Sequence, residues 1–198
     1  MKSGIVQWNC RGLRANYYEI ENLIEKYCPV AVCLQETMLP TNYTFPSRHY
    51  TAYFNSNTRG NDRPSGGVAL LVNNNTPHRL VAIDSNLQAV AARVSLEKAV
   101  TICSIYLPPN SHWDCNDLVK LIEQLPPPVL LLGDFNAHSS LWGCKNTDQK
   151  GKMIENLLTQ SNLCLMNNKT ATYLHPATGS YSSIDLSLCS PNLFLEFS

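Results

Sequence analysis

Val129-Leu130-Leu131-Leu132-Gly133-Asp134-Phe135-Asn136 is the stretch on which the fold turns. Its apolar first half is short and follows Pro126-Pro127-Pro128, the pattern of a covered strand entered from a turn. Its second half changes character. Strand side chains alternate faces, so Asp134 and Asn136 project to one side while Phe135 packs to the other. A buried strand that delivers a carboxylate and an amide at its end predicts a sheet covered by helices. The site then gathers at the strand ends, where rigid backbone fixes side chains that still reach solvent.

Working outward, further short apolar runs, many rich in β-branched residues, lie at 5–8, 30–34, 68–72, 80–83, 89–94, 100–107, 163–166 and 184–188. Together they predict a large sheet system. Helical patterns sit between them. Asn16 followed by Glu19 has capping-box spacing and opens a helix with Tyr17, Ile20, Leu23, Ile24 and Tyr27 on one face, stopped by Pro29. A second helix spans about 114–125, and a third spans about 150–161 with Met153, Ile154, Leu157 and Leu158 inward. Strand-helix-strand passages coexist with strand-loop-strand passages over 67–107, which predicts an α/β sandwich of mixed sheets with helices outside. The segment 41–66, rich in Asn, Ser, Thr, Arg and Gly, reads as a surface excursion.

The 198 residues fit one domain, and 44% apolar against 15% charged residues place the chain among globular proteins. Formal net charge is zero, so a nucleic-acid partner would be met by a local basic patch and not by the field of the whole molecule. No signal-peptide core opens the chain and no run approaches the ~20 apolar residues of a spanning helix. The expectation is an intracellular, reducing setting with no membrane contact. Eight cysteines are present, yet none has C-x-x-C spacing, and Cys10, Cys33, Cys103, Cys164 and Cys189 lie in or beside apolar runs, where a free thiol acts as a small hydrophobe.

Chemistry collects where apolar runs end in polar residues: Asn9, then Gln35-Glu36, then Tyr106, then Asp134-Phe135-Asn136. Such endings predict one shared pocket. A hard cation such as Mg²⁺ takes one or two protein carboxylates and completes its shell with water and phosphate, and Glu36 is the best placed carboxylate for it. Neither a Gly-x-x-x-x-Gly-Lys phosphate loop nor Gly-x-Ser-x-Gly occurs, which disfavours P-loop hydrolysis and serine esterase chemistry.

These residues resemble a family. Trp8-Asn9-Cys10-Arg11-Gly12-Leu13-Arg14, Leu34-Gln35-Glu36-Thr37, Ser65-Gly66-Gly67-Val68-Ala69, Ser104-Ile105-Tyr106-Leu107-Pro108, Gly133-Asp134-Phe135-Asn136-Ala137-His138 and Ser183-Ile184-Asp185-Leu186 stand in the order of the exonuclease-endonuclease-phosphatase superfamily. Gly-Asp-Phe-Asn-Ala-His followed by Leu141-Trp142-Gly143 further resembles the endonuclease domain of LINE-type (non-LTR) retrotransposons. The resemblance implies a four-layered α/β sandwich, two mixed sheets face to face with helices outside. It implies Mg²⁺, with Mn²⁺ as a substitute, held by Glu36 with help from Asn9. It further implies that Asp134 orients or deprotonates the attacking water, that Asn136 and Tyr106 stabilise phosphoryl oxygens, and that Asp185 supports a catalytic histidine. Arg11, Arg14, Trp142 and Ser183 are the candidate DNA contacts, with Trp142 equally suited to a packed turn. His138 reads as a structural hydrogen-bonding residue.

The chain departs from the pattern twice. Arg11 stands where the abasic-site nucleases carry an acidic residue, and no Asp-His dipeptide occurs, although the family closes on Ser-Asp-His. The domain over 1–198 is therefore expected to be truncated at its C-terminus. The implied function is nicking of target DNA so that the freed 3′-hydroxyl primes reverse transcription, with a reverse transcriptase region as partner in the parent polyprotein and a nuclear place of action. The alternatives are an inactive or weakly active fragment of such a domain, and a phosphatase of the same superfamily.

Overall fold

The computed structural model describes residues 4–59, 63–175 and 178–197. In chain order the elements are β1 (Ile5–Asn9), α1 (Tyr17–Tyr27), β2 (Ala31–Gln35), β3 (Tyr50–Asn55), β4 (Thr58–Arg59), β5 (Arg63–Pro64), β6 (Val68–Asn73), β7 (His78–Val81), β8 (Gln88–Ser95) and β9 (Ala99–Tyr106). There follow α2 (Cys115–Glu123), β10 (Val129–Asp134), α3 (Gln149–Gln160), β11 (Cys164–Leu165), β12 (Tyr173–Leu174), β13 (Tyr181–Ser182), β14 (Asp185–Cys189) and α4 (Phe194–Phe197).

The strands form a four-stranded sheet in the order β1-β2-β6-β3 and a six-stranded sheet in the order β11-β14-β10-β9-β8-β7. Each sheet is mixed: β1 runs parallel to β2 and β9 parallel to β10, and the other neighbours are antiparallel. Between the sheets lie Ala31, Cys33, Leu70 and Val72 from the smaller and Val90, Ala92, Val100, Ile102, Leu130 and Leu132 from the larger. The outer face of the larger sheet packs Cys103, Ile105 and Leu131 under Leu118 and Leu121 of α2 and Ile154 and Leu157 of α3. The outer face of the smaller sheet packs Val32, Leu34, Ala69 and Leu71 against Ile20 of α1. Four layers result, as the resemblance implies. Each fully buried Leu or Ile contributes about 1.5–3 kcal/mol relative to an exposed one, which makes these interlayers the main source of stability.

The helix boundaries follow local chemistry. Asp114 and Asp117 form a reciprocal capping box that opens α2, and Asp148 accepts from the Gly151 amide to open α3. Asn16 precedes α1 but caps nothing with its side chain, which instead donates from Nδ2 to the Cys10 carbonyl at 2.7 Å. Tyr27, expected on the inward face, is 59% exposed, because α1 ends there and the chain turns through a left-handed Cys28.

The segment 41–66 is more than a surface excursion: it contains β3, the edge strand of the smaller sheet, with Tyr50 buried. Tyr50-Thr51-Ala52-Tyr53-Phe54 has the aromatic and β-branched content of a strand, but polar neighbours on both sides mask it. All eight cysteines are free thiols; Cys10, Cys33, Cys103, Cys144 and Cys189 are buried and Cys28 is exposed.

Candidate active site

Strand register sets out the site. β10 pairs Asp134 with Tyr106 of β9 on one side and with Asp185 of β14 on the other, so these side chains stand abreast across neighbouring strands. On the facing sheet β1 ends at Asn9 opposite Gln35, and Glu36 follows at once. The strand ends of the two sheets therefore meet at one edge.

Side chains join them. Asn9 Nδ2 donates to Glu36 Oε1 at 2.9 Å and to Asp134 Oδ2 at 2.8 Å, spending both amide hydrogens on carboxylates of different sheets. The Tyr106 hydroxyl donates to Glu36 Oε1 at 3.0 Å. Asp134 Oδ1 accepts from the Asn136 amide at 2.9 Å, while Asn136 Nδ2 donates to the Leu107 carbonyl at 3.2 Å. Asn9, Arg11, Glu36, Asp134, Asn136 and Asp185 line one cavity of about 700 Å³.

Burial, together with the Asp185 charge on the adjacent strand, pushes the Asp134 carboxyl up to about 7, against the lowering effect of its bonds from Asn9 and Asn136. Burial likewise raises Asp185, with Gln7, Thr172 and the Arg11 charge opposing. Crowded acidic oxygens make an environment that a divalent cation relieves. The Glu36 carboxylate fits a hard cation that takes few protein ligands and keeps its waters; Asn9 turns its Nδ2 to Glu36, and its amide oxygen, accepting from the Arg11 amide at 3.2 Å, would join the set with the amide turned over. Among the described residues no cluster of three or more His, Cys, Asp or Glu side chains is arranged to hold a metal by itself.

The backbone at the rim is under tension. Arg11, Glu36 and Asn136 have φ of 46°, 51° and 46°, left-handed values at residues just past the ends of β1, β2 and β10. Such conformations cost of order 1–3 kcal/mol for residues other than glycine and are held only by their surroundings. For Glu36 the holding loop is Gly66-Gly67, whose carbonyls accept from the Met38 and Thr37 amides at 2.8 and 3.2 Å. A Cβ on Gly66 would stand 2.6 Å from Gln88 Oε1 and 3.1 Å from the Tyr106 ring, so the Ser-Gly-Gly motif lets the loop approach the site.

Not every expected residue arrives. Trp142 is fully buried, with Nε1 donating to the Ala137 carbonyl at 3.1 Å, so it packs a turn and does not face DNA. Ser183 is 1% exposed and lies beneath the cavity rather than on it. Arg14 is exposed but outside the cavity wall. Arg11 does reach it, with its guanidinium 5.2 Å over the Tyr173 ring.

Sequence reasoning missed a second rank of polar groups. Gln7 Nε2 donates to Asp185 Oδ1 at 2.9 Å and to Gln35 Oε1 at 2.7 Å, and Gln35 Nε2 donates to Ser104 Oγ at 3.0 Å. This chain crosses between the sheets with Gln35 and Ser104 fully buried. Period two was the available signal: Gln7 shares a face with Asn9, and Ser104 with Tyr106.

Residues 100–196 match the sequence model of a family described as endonuclease-reverse transcriptase. The probable RNA-directed DNA polymerase from transposon X-element of Drosophila melanogaster is 24% identical over 188 residues, covering 93% of this chain and 21% of that protein. The RNA-directed DNA polymerase from mobile element jockey of the same species is 27% identical over 155 residues, covering 76% and 17%. The chain thus spans about a fifth of the length of these curated relatives. Among solved structures, the endonuclease domain of TRAS1, a telomere-specific non-LTR retrotransposon, superposes with a TM-score of 0.75 at 19% identity, covering 95% of this chain and 85% of that one. The 3′-5′ exonuclease from Neisseria meningitidis gives 0.74 at 18% identity, covering 96% and 88%. The chain has the exonuclease-endonuclease-phosphatase fold and resembles the endonuclease domains of non-LTR retrotransposons.

Proposed function

We propose that this domain hydrolyses phosphodiester bonds of DNA, nicking one strand of a target so that the freed 3′-hydroxyl primes reverse transcription. The observation that carries the reading is the meeting of Asn9, Glu36, Tyr106, Asp134, Asn136 and Asp185 at one edge of the sheets, in one cavity or bonded to its wall. The likeness to proteins named RNA-directed DNA polymerases supports a reverse transcriptase region in the parent polypeptide, and a chromosomal target would call for a nuclear place of action. Among the described residues no helix is long and apolar enough to cross a membrane.

In this reading Glu36, with Asn9, holds Mg²⁺ or Mn²⁺, which supplies Lewis-acid stabilisation of the phosphoryl oxygens. Asp134, titrating near neutrality, takes the proton of the attacking water as the new O–P bond forms and the bond to the 3′-oxygen breaks. Asn136 retains an amide hydrogen beyond the one given to Leu107, and in this reading it is the donor available to a phosphoryl oxygen. Tyr106 acts chiefly by orienting Glu36, to which its hydroxyl is bonded.

A weakly active domain is the second reading. The resemblance pairs Asp185 with a histidine, whereas here its side chain is held by Gln7.

Supercoiled-plasmid nicking with Mg²⁺, run beside phosphoinositide hydrolysis, tests the proposal. Nicking by the wild type, lost on EDTA addition and in Glu36→Gln, is expected. Hydrolysis of the lipid substrate alone would move the domain to the phosphatases. A folded wild type inert on both substrates would leave the inactive reading.

A further inference from the structure

We infer that His138, held in place by Asp148, is a further substrate-contacting residue of the cavity, whose Nε2 grips a phosphate of the bound DNA strand; this rests on the nuclease reading above. His138 lines the same cavity as Asn9, Glu36, Asp134, Asn136 and Asp185. Its Nδ1 lies 2.9 Å from Asp148 Oδ2. Among the described residues no protein group is bonded to its other ring nitrogen.

The carboxylate that holds the ring is itself fixed. Asp148 donates its amide to the His138 carbonyl at 3.0 Å, and its Oδ1 accepts from the Gly151 amide at 2.6 Å as the cap of α3. The approach is so close that a Cβ at Gly151 would lie 1.8 Å from the His138 carbonyl oxygen. Trp142, buried and bonded to Ala137, and Ser139, buried and bonded to Glu155, anchor the loop between the two partners. Burial acts to raise the Asp148 carboxyl, but its bonds from Gly151 and His138 outweigh that and hold it below the usual range, so it stays charged opposite Nδ1.

A histidine serving only to tie the loop to α3 would have no reason to stay open. This side chain is 45% exposed, and His138 is one of the residues lining the cavity. An imidazole held at Nδ1 by a carboxylate is fixed in rotation, and in its imidazolium form, with both ring nitrogens protonated, it presents an Nε2–H donor away from that carboxylate to a phosphate oxygen. The cavity also needs donors. Glu36, Asp134 and Asp185 give it acidic character that repels a polyanion, while Lys150, packed nearby, is committed to the Pro108 and Pro109 carbonyls at 3.0 and 2.8 Å. Arg11 follows β1 of one sheet and His138 follows β10 of the other, so the pair offers a contact from each layer.

The test is binding of a short fluorescent duplex by anisotropy in EDTA, combined with plasmid nicking in Mg²⁺. His138→Ala is expected to weaken duplex binding about 10-fold or more and to raise KM similarly, with kcat within about threefold. Asp148→Asn should give part of that loss, and the double variant should be no weaker than His138→Ala, because the carboxylate acts through the ring. His138→Gln, which keeps a donor, should recover part of the affinity. Melting temperature and near-UV circular dichroism identify the folded variants. Should Asp148→Asn unfold the loop, His138→Ala and His138→Gln still decide the matter. Duplex binding by folded His138→Ala within twofold of wild type would overturn the inference while leaving nicking, and hence the nuclease reading, intact. A wild type that neither binds nor nicks would sink that reading first and this inference with it.

Discussion

Along a single face of each of four strands, the two ends of the space between the sheets have opposite chemistry. On β9 the facing residues run Val100, Ile102, Ser104, Tyr106; on β10 they run Leu130, Leu132, Asp134; on β2, Ala31, Cys33, Gln35; and on β1, Ile5, Gln7, Asn9. The early members pack against one another as an apolar cluster. The late members are tied in a hydrogen-bonded mesh. One end holds the sheets together by excluding water, and the other holds groups that pull against burial, above all Asp134 with its carboxyl raised to about 7. Stability and chemistry are thus segregated along the strands and not between domains or loops.

The largest effect should come from Asp134→Asn. Nicking is expected to fall at least 10²–10³-fold, while melting temperature rises. The sign follows from linkage. Asp134 has its folded-state value raised above the unfolded one, so its contribution is fully present below about pH 4 and is lost as pH rises through about 7. Asp185, raised in the same direction, adds to the trend. Metal-free wild type should therefore lose on the order of 4 kcal/mol between pH 4 and 8, the asparagine variant much less, and Mg²⁺ should flatten the wild-type curve. Denaturant melts across that range check it, and a flat metal-free profile would break the contrast between the two ends.

At the apolar end, Ile102→Ala should cost about 2–5 kcal/mol in denaturant unfolding, with kcat of the residual folded protein unchanged. A large kcat effect from this distant cavity would mean that the ends are coupled and not segregated.

Smaller again is Gln7→Leu, which removes one of the donors to Asp185 and the Gln7 donor to the Gln35 amide oxygen. A loss of about 1–3 kcal/mol is expected, with a drop in kcat exceeding any rise in KM, measured by urea melts and nicking kinetics. Arg14→Ala marks the lower limit: it stands outside the cavity, and both stability within about 0.5 kcal/mol and duplex affinity within about twofold should be retained.

The strand ends were legible because catalytic residue types sit where an apolar run stops: Asn9, Glu36, Tyr106 and Asp134 announce themselves in that way. Gln7, Gln35 and Ser104 did not, since a polar residue inside a run looks like noise until its partner on the other sheet is known. Trp142 and Ser183 show the converse, for a motif fixes an order of residues and not which of them turn inward. The strand β3 escaped notice because its register is supplied by β6, a partner some fifteen residues further along the chain. The pairing of His138 with Asp148 was equally hidden, since it depends on the loop that brings α3 back to the end of β10.

The buried thiols have a consequence in time as well as in space. Burial pushes Cys10 and Cys103 up to about 12 and Cys33 higher still, so an alkylating reagent at neutral pH meets almost no thiolate at any of them. Cys28, exposed, is modified first. The half-buried Cys115 and Cys164 follow, and a label at any of the buried thiols waits on an opening event. Cys10 Sγ lies 3.3 Å from the Gln35 carbonyl, directly behind Glu36, whereas Cys103 is sealed under α2 and α3. The labelling rate at Cys10 is therefore a clock for breathing of the catalytic edge, and that at Cys103 a clock for breathing of the core. The same chain carries both.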